Sequence, residues 1–257
     1  MSKYDRFYTF DEPVPYKTIK LYPVKVRDYS IFYGCTPCLT LEKKSIVDIR
    51  ILKMSYLEYL YTLHYENKEI DFLSLLDGIL RLCMRLPDAK IEYKFINKKP
   101  VFIINEQIFD SSDFNEIRDI ICEQNMVEVP DESIQKEIRN KMEEARRLKA
   151  RENGANNKPA SFEDTMLCLV ASTAMTFEQV NELTLRKFIR LLQRVDAKLH
   201  YQIYMTAAMS GMVEFKDKSI LRHWMSDLER ENKNDDVLLS FDKVKDHVEM
   251  KDITPQK

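Results

Sequence analysis

The stretch that decides the fold reads SFEDTMLCLVASTAMTFEQVNELTLRKFIRLLQRVDAKLHYQIYMTAAMSGMVEFKDKSILRHWMSDL and covers residues 161–228. Its apolar residues recur at intervals of three and four, which is the spacing of amphipathic helices. Ser161 and Thr176 each precede an acidic or amide residue three positions later, the pattern of a helix capping box. Thr184 and Asp196 are further predicted helix starts. We therefore predict a series of short, linked helices.

The buried face of these helices is predicted from the same spacing. In the helix that begins at Thr184, Leu185, Phe188 and Leu192 point inward. In the helix predicted to begin at Asp196, Leu199 and Ile203 point inward. The stretch is thus an all-helical module with one packed side.

The N-terminal half mixes helices with a small sheet. Its predicted helices cover 29–41 after Asp28, a segment after Ser55, Asp71 to Leu86, and a segment after Ser111 or Ser112. Pro37 disturbs the first of them, because proline disrupts a helix interior. Within residues 90–109, apolar and polar residues alternate over 91–95, and an apolar run follows at 101–104. The predicted turns Asn97–Pro100 and Asn105–Glu106 separate these stretches, which predicts a β-meander. The predicted fold class is mainly α with a small β-meander (α+β).

Residues 1–27 are rich in aromatic side chains and prolines. Ile19 and Leu21 alternate with polar neighbours, which predicts a short strand or an extended arm. Two placements stay open for this arm: it packs on its own chain, or it packs on a neighbouring subunit.

The region between the two halves is strongly charged. Residues 131–152 form a predicted helix with a narrow apolar stripe, read either as a solvated spacer or as a seam for another chain. Asn153–Pro159 has the composition of a linker. The predicted organisation is an N-terminal α+β domain with an extended aromatic arm over 1–130, a charged helix and linker over 131–160, a helical module over 161–230 and a flexible tail over 231–257.

Composition argues against several functions. The net charge is −2 and no long basic run occurs, so we expect no binding to nucleic acid. The longest nearly apolar run, Met166–Met175, falls short of a membrane span. With only four glycines, the chain has none of the glycine-rich phosphate-binding motifs, and we expect no cofactor. The five scattered cysteines indicate free thiols in a reducing compartment.

Cys35-Thr36-Pro37-Cys38 is the one motif with a recognised chemistry. A pair of this spacing occurs in thiol–disulfide oxidoreductases, but it requires a strand before it and a helix N-terminus at the first cysteine. The preceding residues are helical in character, so buried thiols are the preferred interpretation and a redox role stays open. His200 and His223 are predicted to be structural. We predict no catalytic residue and no metal ligand.

The best candidates for contact with a partner are methionines, the single tryptophan and apolar residues of the charged helix. Methionine adapts to varied surfaces, and tryptophan is enriched in interface anchors. The competing interpretation places the same side chains in the core. The predicted partner-binding residues are Ile134, Ile138, Met142, Met209, Met212, Trp224, Met225 and Leu228.

The C-terminal half resembles assembly proteins of long-tailed phages and prophages, in particular tail assembly chaperones. The residues that carry the resemblance are Ser161–Asp164, Met175–Val180, Leu183–Phe188, Gly211–Lys216 and His223–Met225. The aromatic arm and leucine-rich helices of the front half are similar to baseplate or hub assembly proteins. The resemblance covers about half of the chain.

The resemblance implies a mostly helical protein without enzymatic activity. It would bind phage tail proteins, such as the tape measure protein, in the host cytoplasm. The alternative is a permanent virion subunit of the baseplate, tail or head–tail connector. Self-association is a further option that the residues leave open.

Overall fold

A computed structural model describes residues 3–43, 49–66, 70–129, 144, 160–211 and 221–226. Helices α1 to α10 cover Asp5–Phe10, Tyr29–Cys35, Pro37–Thr40, Ile49–Lys53, Tyr56–Glu66, Phe72–Met84, Ser111–Gln124, Phe162–Ser172, Phe177–Glu182 and Leu185–Met209. Strands β1 to β5 cover Val14–Tyr16, Ile19–Leu21, Ile91–Ile96, Lys99–Ile104 and Gln107–Phe109. The predicted fold class is confirmed.

The strands form two antiparallel sheets, a β1–β2 hairpin and a β3–β4–β5 meander. Asn97 and Lys98 both have positive φ, as in the two-residue turns that match strand twist. The first turn is therefore shorter than predicted, and Lys99 and Pro100 belong to β4. Pro100 is tolerated there because β5 pairs only with Phe102–Ile104, so the proline lies where β4 has one neighbour.

The predicted short strand at Ile19–Leu21 is present as β2, but the start of the N-terminal segment is helical and not an extended arm. Residues Asp5–Phe10 form α1, because Tyr4, Phe7 and Tyr8 have the spacing of a helix face. Tyr8 and Leu21 are buried in the core of their own chain. Of the two placements left open, the structure therefore shows packing on the same chain.

Helix boundaries follow the capping residues in most places. Capping boxes begin α8 at Ser161 and α9 at Thr176, as predicted. Asp71, the predicted start of a helix, is the N-cap of α6. The cap of α7 is Asp110 instead of Ser111 or Ser112, since Asp110 and Asp113 form a reciprocal capping box. Pro37 ends the predicted first helix early: α2 stops at Cys35, and the proline occupies the first turn of α3.

The prediction of a helix start at Asp196 is wrong. Helix α10 continues through it to Met209, and the Asp196 carboxylate lies 3.3 Å from Nδ1 of His200 one turn later. Leu199 and Ile203, predicted to point inward, are 50% and 61% exposed. The buried residues of α10 are Leu185 and Phe188, because only the first half of this helix packs on the core.

Residues Met1–Glu132 and Ala160–Trp224 form one compact unit. Leu169, Val180 and Phe188 belong to the same buried cluster as Phe32 and Ile121. The N-terminal half and the helical module therefore share a core, which differs from the predicted separate domains. The predicted charged helix (apart from the exposed, helical Glu144), the linker and the tail lie outside the described residues.

Residues 22–26, which we call the linking segment, hold this unit together. The N–H of Val24 donates to Oδ1 of Asn125 (2.9 Å), and the carbonyl of Val24 accepts a hydrogen bond from the N–H of Leu185 (2.8 Å). Val26 donates to the carbonyl of Leu183 (2.9 Å), so the segment forms an antiparallel bridge beside Thr184. The linking segment thus ties the end of α7 to the start of α10.

Ion pairs reinforce this attachment. Glu182 contacts both Lys25 and Arg27. The Asp11 carboxylate accepts a hydrogen bond from the Thr184 hydroxyl (2.9 Å) and forms an ion pair with Lys187 (2.7 Å). These pairs are partly exposed, so we expect them to contribute less than the buried hydrogen bonds.

Two carboxylates of α7 anchor the N-terminal segment. Asp113 is buried. Its carboxylate accepts a hydrogen bond from the Tyr16 hydroxyl (2.8 Å) and forms an ion pair with Lys17. Glu116 accepts the Tyr4 hydroxyl (3.0 Å). Burial raises the pKa of Asp113, but Lys17 and the hydrogen bonds from the Asp110 backbone and Tyr16 outweigh burial and hold this pKa below its ordinary value.

Asn125→Ala should destabilise the fold by about 1–3 kcal/mol, because it leaves the buried N–H of Val24 without its acceptor. Urea unfolding followed by circular dichroism measures this change. Asn115→Ala, on the exposed side of α7, is the control and should stay within about 0.5 kcal/mol of wild type. If both variants lost the same amount of unfolding free energy, the linking role of Asn125 would be contradicted.

Asp113→Asn should lower the free energy of unfolding at neutral pH and make it depend less on pH in the acidic range. A carboxyl group whose pKa is lowered by folding stabilises the protein above its unfolded pKa, about 3.9, and this contribution is lost as pH falls through the folded pKa. Urea unfolding at a series of pH values should therefore show the two curves converging below about pH 4. Asp88→Asn, an exposed control, should keep the wild-type slope.

Candidate functional site

A cavity of about 510 Å³ lies between α2, α3, residues 125–128, α8 and α10. We call it the groove. Its wall is mainly apolar and includes Phe32, Val127, Phe162, Phe188, Ile189 and Leu192. The volume falls within the roughly 300–1,000 Å³ typical of ligand sites.

The groove is positioned by helix ends that meet near the linking segment. Helix α7 ends at Gln124, and the following residues Asn125–Glu128 form one side. The Thr184 hydroxyl caps α10 by accepting the N–H of Lys187, which places Leu185 and Phe188 in the first turn. The capping box at Ser161 likewise places Phe162 at the start of α8. Local capping signals therefore set the position of the aromatic wall.

Four aromatic rings form a row from solvent into the core. Tyr33 stacks on Tyr29 with centroids 5.4 Å apart, and Tyr29 stacks on Phe162 at 3.7 Å with the planes 3° apart. Phe162 contacts Phe188 at 5.5 Å. Tyr33 is 63% exposed whereas Phe188 is buried, so the row begins at the mouth of the groove and ends at its floor.

Several polar side chains of the groove wall are already hydrogen-bonded within the fold. The Thr36 hydroxyl donates to the carbonyl of Tyr33 (2.7 Å), and the Thr165 hydroxyl donates to the carbonyl of Ser161 (2.8 Å). The Asn125 amide accepts from Val24 and donates to Ile121. These side chains offer a ligand few hydrogen-bond donors, so the groove is suited to apolar groups.

The predicted partner-binding residues lie elsewhere. Met209, at the end of α10, is 79% exposed. Trp224 is partly buried, its carbonyl accepts a hydrogen bond from Arg194 (2.7 Å), and its ring lies near His223. Met225 is exposed and falls outside the compact unit described above. None of the three lines the groove, and their role in binding stays a prediction.

The remaining predicted residues, Ile134, Ile138, Met142, Met212 and Leu228, lie outside the described residues. Sequence reasoning missed the groove because Phe162, Phe188 and Leu192 have the spacing of core residues. Their spacing cannot distinguish a filled core from a groove.

The cysteine motif lacks the setting of an activated thiol. Cys35 is the last residue of α2, and burial raises the pKa of its thiol. Cys38 is fully buried, which raises the pKa of its thiol strongly. A reactive cysteine needs the opposite shift. His200 and His223 make separate contacts, with Asp196 and with the ring of Tyr201.

Across the parts of the chain that the structure describes, no cluster of three or more histidine, cysteine or acidic side chains has a geometry that could hold a metal ion. None of the described helices combines the length and apolarity needed to span a membrane.

Residues 153–229 match the family model described as the YomV second domain, a phage-associated family. The match covers the described helices α8, α9 and α10. Neither the curated proteins nor the solved structures compared with the chain give a match. The similarity therefore agrees with a phage origin of the helical module, but it does not identify the function.

Alkylation should distinguish the cysteines by burial. We expect iodoacetamide at neutral pH to modify exposed Cys168 in the native protein and to spare Cys38 and Cys83 until guanidinium chloride unfolds it. Peptide mass spectrometry measures each site. Rapid modification of Cys35 below neutral pH would contradict its raised pKa and would support the oxidoreductase alternative.

Proposed function

We propose that the chain is a phage or prophage protein without enzymatic activity that binds other tail proteins during tail assembly, in the manner of a chaperone. It acts in the host cytoplasm, and its partner is a tail protein such as the tape measure protein. The groove is the principal binding surface in this proposal.

One observation carries the proposal: the groove is apolar and open, and the Thr36 and Thr165 hydroxyls in its wall are bonded within the fold. Such a surface gains free energy by removing apolar side chains of a partner from water. A chaperone that protects apolar segments before assembly needs this property. The phage-associated family match in the same region supports the biological setting.

The thiol and histidine environments support the proposed absence of catalysis. Raised pKa values at Cys35 and Cys38 disfavour the thiolate that a redox enzyme requires. The groove wall contains neither of these cysteines and no histidine among the described residues. The groove is therefore better suited to binding a partner than to catalysis.

A permanent virion subunit is the alternative, and the second half of α10 favours it. Leu199, Ile203 and Met209 are exposed on this half of the helix. Apolar side chains in such positions suit contact with neighbouring copies in an assembled particle. The subunit would then belong to the baseplate, tail or head–tail connector.

Affinity capture from cells producing the phage should separate the two functions. We expect the tagged wild-type chain to retain a tail protein and the groove variant Ile189→Asp to lose it, because a charge in the groove opposes apolar binding. Leu199→Asp, on the second half of α10, is the matched control and should retain the partner. Thermal melts establish that both variants fold.

Mass spectrometry of purified particles completes the test. The chaperone proposal expects the chain to be absent from mature particles. Its presence at the level of known structural proteins, with capture lost in Leu199→Asp, would favour the virion subunit. Failure to capture any tail protein would overturn both.

A further inference from the structure

Strand β3 is an outer strand of the β3–β4–β5 sheet. It pairs with β4 in an unbroken register that runs from Ile91 opposite Ile104 to Ile96 opposite Lys99. Within the described parts of the chain, no strand pairs with its other side. A regular outer strand presents N–H and C=O groups to which a further strand can bind.

The tight turn at Asn97–Lys98 determines which backbone groups of β3 face this open edge. A two-residue turn is closed by a hydrogen-bonded pair, and such pairs recur at every second residue of the strand. Lys90 has the expected orientation, because its carbonyl accepts a hydrogen bond from the N–H of Asn105 at the end of β4 (3.1 Å). The residues whose backbone groups face the open edge are therefore Ile91, Tyr93 and Phe95.

The side chains of β3 alternate between the two faces of the sheet. Tyr93 and Phe95 lie on the face toward α5, where their ring centroids are 6.3 and 5.1 Å from that of Tyr61. Phe95 is nevertheless 51% exposed. A strand added beside β3 would cover part of this exposed aromatic surface.

The opposite face of β3 carries two charges of opposite sign. Hydrogen bonds from Lys90 (2.8 Å) and Lys94 lower the pKa of Glu92 to about 2, so this carboxyl group is ionised at neutral pH. These ion pairs are partly exposed, and a carboxylate accepts several hydrogen bonds at once. An anion at Glu92 and a cation at Lys94 therefore stand two residues apart along the open edge.

This spacing makes β3 complementary to a second copy of itself. In an antiparallel pair with Tyr93 opposite Tyr93 of the second copy, Glu92 lies opposite Lys94, and Ile91 lies opposite Phe95. A register centred on Glu92 would place two glutamates opposite each other, and one centred on Lys94 would place two lysines opposite each other. Like charges in directly opposite positions destabilise a strand pair. Of these three registers, charge therefore selects the one centred on Tyr93.

The other outer strand of the sheet is less suited to such pairing. Strand β5 has only three residues, and the N-terminal hairpin lies beside it. The Thr18 hydroxyl donates to Gln107, and Nζ of Lys17 lies 5.5 Å from the ring centroid of Phe109. The longer and more open edge is that of β3.

We propose that two copies of the chain associate through β3, in an antiparallel register centred on Tyr93, so that their meanders form one six-stranded sheet. Each copy contributes the backbone groups of its outward-facing residues and sets its Glu92 opposite Lys94 of the other copy. The contact is smaller than a standard protein interface, so we expect the dimer to dissociate on dilution. This inference goes beyond the proposed function, and β3 supplies none of the described residues that line the groove.

Charge reversal tests the register. Glu92→Lys and Lys94→Glu should each weaken dimerisation by at least about tenfold, because each variant places like charges opposite one another. The double variant Glu92→Lys/Lys94→Glu should restore dimerisation, since the two charges have only exchanged places. Lys20→Glu, an exposed lysine in β2 with the same change of charge as Lys94→Glu, is the matched control and should leave dimerisation unchanged. Sedimentation equilibrium at a series of chain concentrations measures the dissociation constants.

Cysteine cross-linking tests the same register by distance. In a Cys168→Ser background, which removes an exposed thiol, we expect a mixture of Glu92→Cys chains and Lys94→Cys chains to form a mixed disulfide dimer under dissolved oxygen. The two positions are a directly opposite pair, with Cα atoms about 4.5 Å apart. Either variant alone should cross-link less, because its own copies place the cysteines on a diagonal. Peptide mass spectrometry identifies the linked residues.

A chain that sediments as a monomer at every concentration would overturn the inference. A double variant that stays as weak as the single variants, or an equal effect of Lys20→Glu, would overturn the register and with it the proposed contact. Thermal melts establish that each variant folds. Ile189→Asp should abolish capture of a tail protein and leave the dimer intact, so failure of the proposed function and failure of this inference are distinguishable.

Discussion

The linking segment is the constraint on which the rest of the unit depends. Val24 uses both of its backbone hydrogen-bonding groups to join parts of the chain that are distant in sequence, Asn125 after α7 and Leu185 at the start of α10. Both bonds are buried beside apolar neighbours, where an unpaired backbone group would be costly. The segment thereby holds these two helix ends together.

The groove follows from this arrangement because its walls are extensions of the joined elements. Helix α2 begins three residues after Val26, and Asn125 leads directly into the opposite side. Phe162 and Phe188 support each other and Tyr29, so the wall keeps its aromatic surface without closing over it. A tightly packed core would fill such a space. Here the rings stack in a row, which leaves one end in solvent.

Local signals predicted much of the fold, and long-range contacts account for the rest. Ser161 and Thr176 could be predicted as caps because a capping box requires only four consecutive residues. Asp196 has the same preference for caps, but α10 continues on either side of it, and an acidic residue one turn before His200 is acceptable inside a helix. The groove was beyond prediction, because it depends on where Val24 meets Leu185, and no spacing rule specifies that meeting.

The family match covers only one side of the groove. Residues 153–229 include α8 and α10, which supply Phe162, Phe188 and Ile189 to the groove. The other wall, with Tyr29, Phe32 and Val127, comes from the N-terminal half, outside the match. A protein similar only over the matched residues would have Phe162 and Phe188 without the two tyrosines that complete the aromatic row. The groove is therefore a property of the two halves together, and the shared core, rather than the helical module alone, creates it.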